Sequence, residues 1–157
     1  TLYDVETQIP AFFHITEASI HDSKVMIEIP YESSSYYIFD RGYNNFKMLY
    51  KIHQIEAYFV VRAKKNFQYK SIQWKRRLPK NVLSDASVLL TGFYPKQYYP
   101  EPLRLVKYWD EEQEREFTFI TNAMHISALQ VAELYKNRWQ VELFFKWLKQ
   151  HLKIKKF

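Results

Sequence analysis

Cysteine is absent from the 157 residues, so neither a disulfide framework nor a thiolate metal site exists, and a reducing compartment is compatible with the chain. Glycine is scarce. Only Gly42 and Gly92 occur, which predicts few tight turns through positive φ. No run of 18 or more apolar residues is present and no signal-peptide pattern is visible, so nothing reads as a membrane span. The chain starts at Thr1 rather than Met, already in a strand-like pattern, and stops at Phe157 just past an apolar helical pattern. It reads as a fragment of a longer protein.

What is present points to a packed, basic domain. Hydrophobic residues make up 47% and aromatics 18%, a composition unlike that of disordered chains. The length suits one domain, or most of one, with a sizeable core. Lys and Arg number 23 against 17 Asp and Glu, a net charge of +6, and Lys146, Lys149, Lys153, Lys155 and Lys156 crowd the C-terminus. A basic surface with interleaved aromatics suits a polyanion, nucleic acid above others.

The most informative stretch is residues 127–153, SALQVAELYKNRWQVELFFKWLKQHLK, which reads as one helix of roughly 40 Å. Ser127 is a good N-cap, Gln130 completes a capping box, and Ile126 with Val131 can form a hydrophobic staple. At helical spacing Leu134, Val141, Phe145, Leu148 and Leu152 form an apolar stripe that must face a core. Tyr135, Arg138, Glu142 and Lys149 share a narrow polar edge beside it. Periodicity alone explains the charges as i,i+4 helix pairs, Arg138 to Glu142 and Glu142 to Lys146.

The spacing is more specific than that. Tyr135, two residues, Arg138, three residues, Glu142, six residues, Lys149, within the frame LYKNRWQVELFFKWLKQHL, resembles the Tyr-Arg-Glu-Lys signature of bacterial insertion-sequence DDE transposases. Upstream, SYYIFDRGYNNF reads as a strand over 36–39, then Asp40, then Gly42 at a turn, then a helix over 45–54. Alone, Asp40 is equally a turn acid or a group at the strand end that opens into an α/β crevice. Asp-Arg-Gly-Tyr after a strand resembles the family motif that carries the second catalytic aspartate.

The remaining segments read as follows. Residues 1–16 form a hairpin, with Asp4 a turn residue and His14 a packed or edge histidine. HDSKVMIEI, over 21–29, is a short helix, with Asp22 or Ser23 as its cap. Residues 57–62 are a strand. From 67 to 121 the chain reads as strand after strand: QYKSIQW, SVLLTGF, PLRLVKYW and EFTFIT, the last two a hairpin turned at 110–114.

The resemblance implies an α/β (α+β) fold: a ribonuclease-H-like core, a mixed sheet with flanking helices, interrupted by a β-rich insertion subdomain. Residues 1–62 would be the first part of the core, 63–121 the insertion and 122–157 the C-terminal core helix. It implies DNA strand cleavage and transfer at transposon ends, with carboxylates holding two Mg²⁺ (or Mn²⁺) ions about 3.5–4 Å apart. Asp40 and Glu142 would be catalytic and metal-binding. Tyr135, Arg138 and Lys149 would contact phosphates near the cleaved bond, with Arg41 and Lys146 as further DNA contacts.

Double-stranded DNA, both transposon ends and target, is the implied partner. A homodimer in the DNA complex and a place at the bacterial nucleoid in the cytoplasm are also implied. In this family an aromatic of the insertion stacks on a flipped base; for Trp74 and Trp109 the residues themselves favour core packing. The family's first catalytic aspartate has no matching context before Asp40. Asp4 looks like a turn and Asp22 like a cap, so this chain by itself is expected to show little strand transfer. Two other readings stand beside this one. The chain could be a transposase-derived DNA-binding module without catalysis, or a structural α+β domain whose basic edge binds acidic proteins.

Overall fold

A computed structural model of the chain describes residues 31–39, 45–64 and 67–137. It contains strands β1 (Tyr36–Phe39), β2 (Tyr58–Arg62), β3 (Tyr69–Trp74), β4 (Val82–Leu90), β5 (Leu103–Asp110) and β6 (Arg115–Thr121). Helices α1 (Phe46–Gln54) and α2 (Phe93–Tyr98) lie between strands, and a third helix, α3, is described over residues 128–137. The hairpin and helix expected over 1–16 and 21–29 lie outside the described residues.

All six strands join one mixed sheet in the order β1-β2-β6-β5-β4-β3. Among the described strands only β1 and β2 are parallel, with Tyr36 opposite Tyr58 and Phe39 opposite Val61. A parallel pair needs a crossover, and α1 lies in the chain between the two strands. Asn45 starts α1 by accepting the Met48 N–H on Oδ1 at 3.3 Å. Ile38, Phe39, Phe59, Val60 and Val61 are all buried, as expected of parallel strands covered on both faces.

Alternation along the strands sends side chains into two cores. On one face Phe39, Phe59, Val61, Val88 and Leu105 pack with Met48, Leu49 and Ile52 of α1 and with Tyr99. On the other, Ile38, Val60, Val106, Phe117 and Phe119 pack with Ala128, Val131, Ala132, Leu134 and Tyr135 of α3. The result is a three-layer arrangement, helix, sheet and helix. Among the described residues no helix is long and apolar enough to cross a membrane.

The β5–β6 hairpin forms where the sequence places it, with Asp110 opposite Arg115 and the Asp110 carboxylate accepting the Glu112 N–H at 3.0 Å. The stretch SVLLTGF departs from expectation. Its strand ends at Leu90, and Gly92 instead caps α2, which Pro95 tolerates in the first turn. A Cβ on Gly92 would approach Pro95 Cδ to 3.1 Å.

Scarce glycine does not mean few left-handed turns. Ser34, Glu56, Asn81 and Glu114 adopt φ of 64°, 62°, 71° and 50°, so non-glycine residues carry that steric cost at chain reversals. Trp74 and Trp109 do not pack in the core either. Trp74 is 64% exposed on the edge strand β3 and Trp109 is 38% exposed. Both sit on strands, but the described fold leaves Trp74 mostly and Trp109 partly uncovered, and period-2 patterning cannot report how far a face is covered.

Candidate active site

The parallel pair leads in the chain to the first of the residues singled out from sequence. Phe39 is the last residue of β1, and the next residue in the chain is Asp40. In α/β sheets that strand end is where reactive groups gather. Asp40 and Arg41 lie outside the described residues, as do Arg138, Glu142, Lys146 and Lys149. Of the residues singled out by the signature, Tyr135 alone is described.

The start of α3 is built as its sequence predicts. The Gln130 N–H donates to Ser127 Oγ at 3.1 Å and the Ser127 N–H donates to Gln130 Oε1 at 2.9 Å, a complete capping box. Val131 is fully buried and the half-buried Ile126 packs in the same core. Two further devices, neither read from the sequence, fix this helix against the sheet.

The first is a buried ion pair. Arg104 on β5 and Asp85 on β4 are 3% and 4% exposed. Nε and Nη2 of Arg104 donate to the two Asp85 oxygens, each at 2.8 Å, in a bidentate fork. The third nitrogen, Nη1, donates to the carbonyls of Ala123, at 3.1 Å, and Ile126. One guanidinium thus ties two strands to the turn that leads into Ser127. Burial pushes the Asp85 carboxyl up, but the Arg104 hydrogen bonds and charge, helped by Lys75 at 3.3 Å, outweigh it and hold it below the usual carboxylate range.

The second is Lys136, whose Nζ lies 3.6 Å from Oδ1 of the buried Asp110 and 5.7 Å from the Tyr108 ring centroid. Burial pushes the Lys136 ammonium down, yet Tyr108, the ion pair with Asp110 and the charge of Glu112 raise it overall.

Tyr135 itself is 5% exposed, although helical spacing puts it on a polar edge beside the apolar stripe. Its ring packs against Phe117 and Phe119 at centroid distances of 5.8 and 5.0 Å. Its hydroxyl accepts a hydrogen bond from Nη1 of Arg62, the last residue of β2, at 3.4 Å. Phe117 and Phe119 from the central strand β6 widen the buried arc of α3 by one residue. Arg62 therefore joins the parallel pair to the signature helix.

A second junction holds the opposite end of β2. The Asn122 side chain accepts the Phe59 N–H and donates to the Ala57 carbonyl, both at 2.9 Å, standing in for a ladder rung. Arg104, Asp85, Arg62 and Asn122 were missed by sequence reasoning. The available signal was a charged residue inside an apolar strand run, as in LRLV; its partners are distant in sequence.

Among the described residues no group of three or more His, Cys, Asp or Glu could hold a metal ion. The metal-binding pair expected from sequence, Asp40 and Glu142, lies outside them. Its oxygen-only donor chemistry matches what a hard divalent cation takes.

Comparison with known proteins agrees with the signature. The family model described as "Transposase DDE domain" matches residues 1–157. The chain belongs to that family, the DDE transposases of bacterial insertion sequences.

"Putative transposase y4zB" of Sinorhizobium fredii is 36% identical over 163 residues, covering 99% of this chain and 45% of that protein. "Probable transposase for insertion sequence element IS5377" of Geobacillus stearothermophilus is 27% identical over 152 residues, 97% of this chain and 40% of that protein. "Putative transposase for insertion sequence element IS4SA" of Synechocystis is 25% identical over 164 residues, 96% of this chain and 43% of that protein. The chain spans less than half the length of these curated relatives.

Proposed function

We propose that the chain is the catalytic-core portion of a transposase that cleaves and transfers DNA strands at insertion-sequence ends. The observation that carries this reading is the Tyr135, Arg138, Glu142, Lys149 spacing on a helix whose first turns are anchored to a mixed sheet. On this reading the sheet is a ribonuclease-H-like core, divided as 1–62, 63–121 and 122–157, with the middle segment an insertion. The strands of that segment are hydrogen-bonded into the same sheet as β1 and β2.

Asp40 and Glu142 are the proposed catalytic carboxylates and would hold Mg²⁺ or Mn²⁺. When bound, the metal supplies Lewis-acid activation and charge neutralisation at the transferring phosphoryl group. Arg138 offers a planar fork to a phosphate and Lys149 a compact point charge, so they divide orientation and neutralisation between them. Lys146 and Arg41 add backbone contacts. Tyr135, with its ring buried, acts at phosphate through its hydroxyl and the Arg62 guanidinium bonded to it. Duplex DNA is the partner, bound by a homodimer that brings two ends together at the bacterial nucleoid.

A two-metal clamp takes a third carboxylate, and no other aspartate of these 157 residues stands in a matching motif. The chain by itself is therefore expected to bind DNA with little strand transfer.

The test is metal-dependent cleavage by the full-length protein on the DNA ends that flank its gene. Glu142→Gln and Asp40→Asn should each abolish cleavage and leave duplex binding in place. Cleavage that survives either substitution sinks the assignment. Binding without any cleavage by the unsubstituted protein would replace it with a transposase-derived DNA-binding module.

A further inference from the structure

Beside the Arg62–Tyr135 junction lies a hollow of about 340 Å³, at the small end of the range for ligand pockets. Its lining includes Arg62, Lys64, Lys107 and Arg115, with Glu116 as the one carboxylate among the lining residues. None of these is a signature residue. They arrive from three different strands or strand ends, β2, β5 and β6, so no local sequence pattern announces them together.

The arrangement concentrates like charge. The guanidinium carbons of Arg62 and Arg115 lie 5.4 and 4.7 Å from the centroid of a single ring, that of Phe117. Elsewhere in the described fold Lys75, Lys80, Arg104 and Lys136 are each set against an aspartate or glutamate. Lys64, Lys107 and Arg115 have no carboxylate within ion-pair distance among the described residues. Gathering Lys64, Lys107 and Arg115 around a concave surface whose lining holds one carboxylate, Glu116, costs repulsion that a bound polyanion removes. Phe67 and Tyr69, their rings stacked at 5.3 Å, line the same hollow.

We propose that Arg62, Lys64, Lys107 and Arg115 form a phosphodiester cradle that grips the backbone of duplex DNA separately from the cations of the signature helix. The proposal rests on DNA being the partner of this chain. A phosphodiester fits because the guanidinium fork matches its oxygens and the lysines add point charge. The cradle makes no base-edge contact, so its contribution is independent of sequence. It adds a second anchoring of the DNA to the one proposed for the signature residues.

The test is the salt dependence of duplex binding by the full-length protein. Each phosphate neutralised contributes about 0.9 to the slope of log K against log salt. The triple variant K64Q/K107Q/R115Q should lose about two to three units of slope, equally on unrelated sequences. The control triple K47Q/K51Q/K96Q, three exposed lysines on α1 and α2, should lose less than about one unit. Lys64→Glu, a single change at an exposed side chain, should lose about one unit and guards against a misfolded triple.

An unchanged slope in the cradle variants, or an equal loss in the control, overturns the proposal. A protein that cleaves its ends but keeps its slope in the cradle triple overturns the cradle alone. A parent with no salt-dependent duplex binding overturns both the cradle and the reading of DNA as partner. A parent that never cleaves but loses slope in the cradle triple leaves the cradle standing without the catalytic assignment.

Discussion

Replacing Arg104 with methionine should strongly destabilise the described fold. The substitution keeps bulk but deletes two bonds of 2.8 Å to Asp85 and both bonds to the carbonyls of Ala123 and Ile126. Asp85, 4% exposed, is left with Lys75, whose side chain is 64% exposed and therefore a weak substitute. Breaking a buried pair by removing one partner costs about 3–5 kcal/mol. Against a typical domain stability of about 5–15 kcal/mol that is a large fraction.

The pair and the carbonyl bonds can be separated. Asp85→Leu with Arg104→Met replaces the buried charges by apolar groups, which is often close to neutral. It leaves the two carbonyls without their donor, a residual of about 1–3 kcal/mol. Urea denaturation of the two single variants and the double gives the cycle. The double variant should be less destabilised than either single. A loss under about 1 kcal/mol for Arg104→Met, or a double variant that equals the sum of the singles, would refute the reasoning.

The same pair predicts a pH dependence. Because the folded Asp85 carboxyl titrates below its unfolded value, its contribution is complete above about pH 4 and fades as pH falls through the lower folded value. The urea midpoint of the parent should drop more between pH 5 and pH 2 than that of the Asp85→Leu, Arg104→Met double variant. Lys149→Ala in the full-length protein should flatten the salt slope of DNA binding by about one unit, read by titration at several salt concentrations. Tyr99→Phe deletes a hydroxyl, buried and 2.8 Å from His53 Nδ1, and should cost about 1 kcal/mol in the same denaturation assay. Trp74→Ala, at an exposed edge-strand position, should move stability by less than about 0.5 kcal/mol.

Local chemistry was legible wherever a feature is decided by neighbours in sequence. Asn45 and Ser127 cap their helices because each side chain reaches an N–H within its own first turn. The hairpin at 110–114 closes because Asp110 bonds its own backbone two residues on. The fate of SVLLTGF was not legible, because an apolar run says nothing about where the chain leaves the sheet. Gly92 and Pro95 held the only clue to α2. Trp74 and Trp109 misled because an aromatic in a strand pattern reads the same whether or not another layer covers it.

The sequence alone determined the family, since four residue types at three fixed gaps survive without knowledge of the fold. It also determined the chemistry to expect, since carboxylates and cations are properties of residues and not of their arrangement. Only the tertiary structure decided which charges meet. Arg104 found Asp85 across 19 residues of chain, and Arg62 found Tyr135 across 73. Strand pairing brings such residues together at distances of a few ångströms. No periodicity encodes it, because the partners share neither an element nor a repeat.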